Sequence, residues 1–225
     1  MRGKLIAIEG IDGSGKATQC ERAVAQLRRE GHATEIVSLP QYKKKSAGPV
    51  EEFIQGKYGD MHAVSPYAVA LLFAVDHFDL GTTIRKMLGE GKIVLADRYV
   101  KSNFAYQGAR IENVQERAQF FRWLEDIEYT HLNLPRPDLT VFLRVPPELS
   151  ARLAETRAAQ NKKIQDRYET VLQFQEKVDM IYCGLAADDT TCRTIECAPQ
   201  GVLLPIEKIH QLLIATLYDI ISTTH

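Results

Sequence analysis

Apolar positions recur along this chain with two different periods. From Lys4 to Glu9 the residues are largely aliphatic and end in Gly10; from Lys16 to Glu30 the apolar positions Cys20, Val24 and Leu27 follow a helical spacing that stops at Gly31. This predicts a strand, a glycine-rich turn and a helix. Short apolar runs return at Thr34–Leu39, closed by Pro40, and then at Lys92–Ala96, Leu139–Val145 and Cys192–Glu196, each reading as a strand buried on both faces. Between them the spacing predicts helices over Ser65–Leu88, Ile111–Tyr129, Pro147–Ala158, Tyr168–Tyr182 and Pro205–Ile221. Strands alternating with helices imply right-handed βαβ crossovers, hence an α/β fold with a five-stranded parallel sheet and helices on both faces.

Two segments break the pattern. Gln41–Asp60 carries three successive lysines, Lys43, Lys44 and Lys45, among Gly48, Pro49, Gly56 and Gly59; Ala158–Arg167 surrounds Lys162 and Lys163 with polar residues. Both read as surface insertions with solvated charge.

Charge and composition narrow the function classes. Lys and Arg number 28 against 29 Asp and Glu, a formal net charge of -1, so there is no cationic excess to follow a nucleic-acid backbone. Any anion bound here must be gripped locally. The longest unbroken apolar run, Tyr67–Val75, has nine residues, against about 20 for a membrane-spanning helix. The apolar stretch Leu5–Ile8 is too short for a signal-peptide core. Four cysteines with no Cys-x-x-Cys pair argue against a disulfide framework or a zinc knuckle, and the expectation is a cytoplasmic protein with reduced thiols.

One motif carries strong chemistry. Gly10-Ile11-Asp12-Gly13-Ser14-Gly15-Lys16-Ala17-Thr18 follows a predicted strand and opens a predicted helix, the context a phosphate-binding loop requires. Glycines allow successive backbone N–H groups to turn toward an anion, the helix N-terminus adds its positive end, and Lys16 reaches the outer phosphates. The residue after the lysine is usually a Ser or Thr that binds Mg²⁺; here it is Ala17, with Thr18 one step later. Mg²⁺ keeps several waters and needs only one or two carboxylates, which makes Asp12 and Asp97 its candidate ligands. The loop implies a nucleoside triphosphate and is silent about the acceptor. A second anion site is suggested by Asp97-Arg98-Tyr99 at the carboxyl end of a strand, where Arg98 either clamps a phosphate or forms a structural salt bridge.

These pieces, with Leu39-Pro40-Gln41-Tyr42, Phe73-Ala74-Val75-Asp76-His77, the Ser102-Asn103-Phe104-Ala105-Tyr106 run, Pro135-Arg136-Pro137-Asp138 and Asp166-Arg167-Tyr168-Glu169, stand in one order over nearly the whole chain. In that order they resemble the thymidylate kinases, P-loop kinases that phosphorylate dTMP with ATP. The resemblance implies a P-loop NTPase fold, a single nucleoside monophosphate kinase domain over 1–225 with a lid at about 150–168, ATP and Mg²⁺, a homodimer, and no nucleic-acid or membrane partner. It places Gly10, Asp12, Gly13, Ser14, Gly15, Lys16, Ala17 and Thr18 on the ATP phosphates and Arg98 on the dTMP phosphate. Phe73 would stack on thymine, Asn103 would meet its N3 edge, Tyr106 would fill the space of a ribose 2′-hydroxyl, and Tyr42 and Ser102 would complete the acceptor pocket. Arg157 or Arg167 would descend with the lid as the catalytic arginine.

Three departures follow from the same comparison. Many members carry arginine at Gln41 and at His77; some carry a catalytic arginine in the loop at Gly13. Four residues after Phe73 on a helix, His77 either donates to the thymine O4 or turns into the helix packing. The sequence therefore leaves open a dTMP kinase, a kinase for another deoxynucleoside or monophosphate, and an ATP-binding module without transfer, this last motivated by Ala17. The acceptor set Phe73, Arg98, Asn103 and Tyr106 is a feature that a mere binding module does not need.

Overall fold

A computed structural model describes residues 2–60, 63–151 and 168–222. Five parallel strands form one sheet in the order β2-β3-β1-β4-β5: β1 Lys4–Glu9, β2 Thr34–Ser38, β3 Ile93–Asp97, β4 Leu139–Arg144 and β5 Cys192–Glu196. All five coincide with the expected runs to within a residue or so. Side chains alternate across the central strand. Ile6 and Ile8 face a core made with helices α1 (Lys16–Arg29) and α7 (Ile206–Ile221), whereas Leu5 and Ala7 face a second core made with α3 (Pro66–Gly89), α4 (Val100–Gly108) and α5 (Val114–Glu125). Each fully buried leucine or isoleucine among these stabilises the fold by roughly 1.5–3 kcal/mol. Helix α6 (Tyr168–Ala187) closes a third cluster through Val178 and Tyr182 against Phe142 and Ala105.

The structure corrects the sequence reading in several places. Only β1, β3 and β4 are buried on both faces; the edge strands β2 and β5 expose Ile36 and Ser38, and Arg193, Thr194 and Glu196. Polar and charged side chains there discourage pairing with another sheet. The expected insertion Gln41–Asp60 contains a 3-10 turn, Lys45–Ala47, and helix α2, Gly48–Ile54, that bury Ala47, Val50 and Phe53. Gly48-Pro49 reads as a turn in isolation, yet proline is well tolerated in the first turn of a helix. Helix α4 was not marked by the spacing. The stretch expected as one helix from Ile111 begins at Val114, where the Asn113 side chain accepts from the Glu116 N–H, and passes into a π-helical turn at Asp126–His131. The helix expected from Pro147 is helical through residues 147–151; its remainder and most of the lid at 150–168 lie outside the described residues.

Helix α3 is long and apolar enough to cross a membrane by length and composition. Here its buried face, including Val69, Ala70, Leu80 and Ile84, belongs to the protein core.

Candidate active site

The turn after β1 runs to the α1 side of the sheet, and the turn after the adjacent β3 runs to the α4 side, so a crevice opens at their carboxyl ends. The phosphate loop occupies its first wall. Helix α1 starts at Lys16 with no acidic residue in its first turn, which leaves the positive helix end unopposed. Ser14 and Lys16 are buried, Ala17 is exposed and Thr18 is half-buried. The Lys16 ammonium folds inward, donating to the Ile11 carbonyl at 2.8 Å and toward Ser14 Oγ at 3.4 Å. Burial, with Arg98 nearby, lowers its pKa to about 7 against the opposing pull of Asp12, Asp97 and Glu9. Gly13 has φ +81°, and a Cβ there would lie 2.7 Å from the Ser150 carbonyl oxygen and 2.8 Å from Ser150 Oγ. Gly10 likewise lies against backbone, the Leu143 carbonyl oxygen.

Arg98 forms the second wall. It holds a left-handed φ of 66°, and its N–H donates to Ile8 at 3.0 Å. A non-glycine residue stays in that region only when its surroundings fix it. Its guanidinium donates to the Gly10 carbonyl at 3.2 Å, to Tyr106 Oη at 3.3 Å and to Asp12. Burial opposes the charge, but Tyr106, Asp12 and their neighbours keep Arg98 firmly protonated. Asp12 is pushed up by desolvation and pulled further down by Arg98 and Lys16, so it remains ionised below the usual carboxylate range. Gln175 Nε2 on α6 also donates to Asp12, at 3.2 Å.

Beneath them Glu9 is fully buried and accepts from the Tyr99 N–H at 2.9 Å, Ser102 Oγ at 2.7 Å and Tyr182 Oη at 2.9 Å. Burial raises its pKa, only partly countered by those donors and Arg98. Glu9 thus ties β1, α4 and α6 together. Ser102, expected on the substrate, spends its hydroxyl proton here while still lining the crevice.

Beyond Arg98 the crevice deepens into a cavity of about 740 Å³, lined among others by Tyr42, Phe53, Phe73, Asn103 and Tyr106. Phe73 and Tyr106 are half-buried, Asn103 is buried and Tyr42 is largely exposed. Tyr106 stands edge-on to Phe174 of α6, 6.1 Å between centroids, with Arg98 over its ring. Gln41 does not face this cavity. Its amide donates to Asp76 Oδ1 and Asp79 Oδ2, each at 3.0 Å, and its N–H donates to Asp76 Oδ2 at 2.8 Å. His77 is also turned inward, 2% exposed, with Nδ1 2.8 Å from Glu128 Oε1. The structure therefore separates His77 from Phe73, which share a helix but not a face of the cavity.

Asp97 ends β3 half-buried, its pKa raised by desolvation against Lys16 and Arg98. Among the described residues no three Asp, Glu, His or Cys side chains converge as a metal-binding group. Two carboxylates, Asp12 and Asp97, fit an Mg²⁺ that arrives on phosphates with its own waters, and do not make a cage for a resident ion. Arg157 and Arg167 lie outside the described residues.

A thymidylate kinase family model matches residues 8–201, from the end of the first strand to past the last. The chain belongs to the thymidylate kinase family. It is 37% identical to the thymidylate kinase of Mycobacterium tuberculosis over 186 residues, 81% of this chain and 86% of that protein. It is 30% identical to a probable thymidylate kinase of Pyrococcus abyssi over 216 residues, 96% of each. The thymidylate kinase structure from Candida albicans superposes with a TM-score of 0.72 at 26% identity, covering 99% of this chain and 92% of that one. Membership makes the protein a phosphotransferase, and the loop and the sheet order agree with the family's P-loop NTPase fold. Sequence reasoning gave no role to Phe53, Gln175 or Glu128. The Val50–Phe53 spacing carried a signal for the first; the other two meet the site only through tertiary contacts.

Proposed function

We propose that this protein transfers the γ-phosphoryl group of ATP directly to dTMP, giving dTDP and ADP. The observation that carries the reading is the position of Arg98, one guanidinium that touches the phosphate loop through Gly10 and Asp12 and also lines the neighbouring cavity. A donor phosphate at Lys16 and an acceptor phosphate at Arg98 would then meet end to end. A bare nucleotide-binding module has no use for the second pocket.

Phosphoryl transfer asks the protein for alignment and positive charge more than for covalent chemistry. The loop N–H groups and Lys16 would hold the donor, and the Arg98 guanidinium, exchanging contacts to Asp12 and Tyr106 for phosphate oxygens, would orient the acceptor. Asp12 and Asp97 would hold Mg²⁺, which would supply positive charge to the donor phosphates. The ring of Phe73 would stack on the base, with Asn103 at its edge and Tyr106 against the sugar. Arg157 or Arg167 would add charge around the transferring group as the lid closes, and closure would keep water from competing as acceptor. The exposed side chains of Leu71, Val75 and Phe78 form a stripe along α3 and support association of two copies as a homodimer. Neither a nucleic-acid nor a membrane partner, and a cytoplasmic location, complete the reading. A coupled ADP-release assay over a panel of nucleosides and monophosphates tests it: dTMP should be the preferred acceptor and release without acceptor should be slow. Preference for another monophosphate, or acceptor-independent release, would overturn it.

A further inference from the structure

Behind the base end of the cavity lies a buried polar cluster that the transfer chemistry does not use. The π-helical turn Asp126–His131 carries Glu128 into the interior at 0% exposure. There Glu128 Oε1 accepts from two groups, His77 Nδ1 at 2.8 Å and Asn103 Nδ2 at 3.0 Å. The same Asn103 Nδ2 donates to the Ala70 carbonyl at 3.0 Å. His77 stacks on Tyr99, 6.4 Å between centroids, and burial, which opposes its charged form, is outweighed by Glu128, Asp76 and Glu9 together.

These contacts decide which way the Asn103 amide points. An asparagine can exchange its oxygen and nitrogen by turning about its last torsion, which is soft and nearly two-fold. Here a main-chain carbonyl and a glutamate oxygen both face one end of the amide. Both are acceptors, so that end must be the NH₂, and both of its hydrogens are used. A reversed amide would put three acceptor oxygens together in a buried place. The remaining polar atom, Oδ1, is buried with no partner among the described residues, although Asn103 lines the cavity.

We propose that Glu128, held in place by His77, is a positioning residue for acceptor specificity: it locks Asn103 so that only an acceptor oxygen meets the base, selecting a 4-keto pyrimidine with a ring N–H over a 4-amino pyrimidine. The proposal rests on the reading that a pyrimidine nucleotide occupies the cavity. A thymine-type ring offers the N–H that satisfies Oδ1. A cytosine-type ring offers a lone pair at the same place and leaves two acceptors facing each other. His77, in this arrangement, acts on the base through Glu128 and Asn103 and not by direct contact.

The test is steady-state kinetics on the full chain with dTMP and dCMP. Glu128→Ala should raise KM for dTMP about tenfold and narrow the dTMP-over-dCMP preference in kcat/KM by about 10- to 100-fold, while KM for ATP stays within about twofold. Glu128→Gln keeps an acceptor oxygen and the volume, and should restore the preference to within about threefold of wild type. A purely structural role would lower kcat/KM for both acceptors in parallel, and an unchanged ratio in Glu128→Ala overturns the proposal alone. Wild type that releases ADP with neither nucleotide overturns the acceptor reading itself. Should the alanine variant fail to fold, wild type still decides: N3-methyl-dTMP, which has no ring N–H, must compete at least about tenfold more weakly than dTMP, and equal competition overturns the proposal.

Discussion

Binding of a nucleoside triphosphate at the phosphate loop should draw a proton from solvent onto Lys16. In the ligand-free protein the ammonium is buried among backbone and Arg98, which brings its pKa down to about 7. Phosphate oxyanions at the loop supply the charge that burial withdrew, returning the group toward its ordinary value of about 10.4. At pH 8 roughly one resting molecule in eleven carries the proton, so binding takes up about 0.9 proton, against about 0.5 at pH 7. The complex holds more protons than the free protein, so raising the pH opposes binding. The dissociation constant should climb toward tenfold per unit above about pH 7, where the triphosphate is already ionised. Titration calorimetry at pH 8, where the triphosphate is itself fully ionised, reads this directly. The observed enthalpy should rise or fall with buffer ionisation enthalpy with a slope near one proton, and Lys16→Met should flatten it. A flat line for wild type would refute the buried-ammonium account. A slope retained in Lys16→Met would assign the proton to another group.

Arg98→Lys keeps a charge but replaces a planar fork by a point; it should lower kcat/KM for dTMP by at least about tenfold in the ADP-release assay, and unchanged kinetics would make Arg98 structural. Asp76→Ala removes the acceptor of the Gln41 N–H, the Gln41 amide and Ser46 Oγ; it should cost about 2–4 kcal/mol in denaturant unfolding and raise KM for dTMP, because the Pro40–Tyr42 wall loses its anchor. Wild-type stability in that variant would show the anchor to be dispensable. Arg157→Ala and Arg167→Ala should reduce kcat more than they raise KM for dTMP, Arg157 the more strongly, since a lid arginine acts chiefly in the transition state; kcat untouched in both would remove the lid from the chemistry.

Strands and the phosphate loop were legible because their signals are local: an apolar run, a glycine turn and a helical spacing lie side by side between Lys4 and Leu27. Helix α2 was hidden by Gly48-Pro49 and the lysines before it, although Val50 and Phe53 seat it firmly. The inward turn of His77 was one of two readings the sequence left open, and nothing local decided between them. Its spacing from Phe73 is right for a shared helix face, but the partner that turns it inward stands 51 positions away on a π-helical turn. Gln41 is similar. A missing arginine reads as a missing phosphate contact, whereas the amide here serves Asp76 and Asp79 across 35 and 38 positions. Local periodicity reports which face is apolar. It does not report which buried polar group will answer another.

The contact between Gly13 and Ser150 bears on how such a protein can change over generations. By the resemblance drawn from the sequence, the catalytic arginine stands either in the phosphate loop or in the lid, and position 13 is where the loop version would have to arise. In this chain any side chain at 13 must adopt a left-handed backbone and enter the space of the Ser150 carbonyl. The obstacle is main chain, so shortening Ser150 does not clear it. Gly13→Arg alone would therefore damage the loop before it could help catalysis, and the segment at Ser150 would have to move first. One glycine and one carbonyl oxygen thus stand between this chain and a loop-borne arginine, and the main chain at Ser150 has to shift before a side chain at position 13 fits.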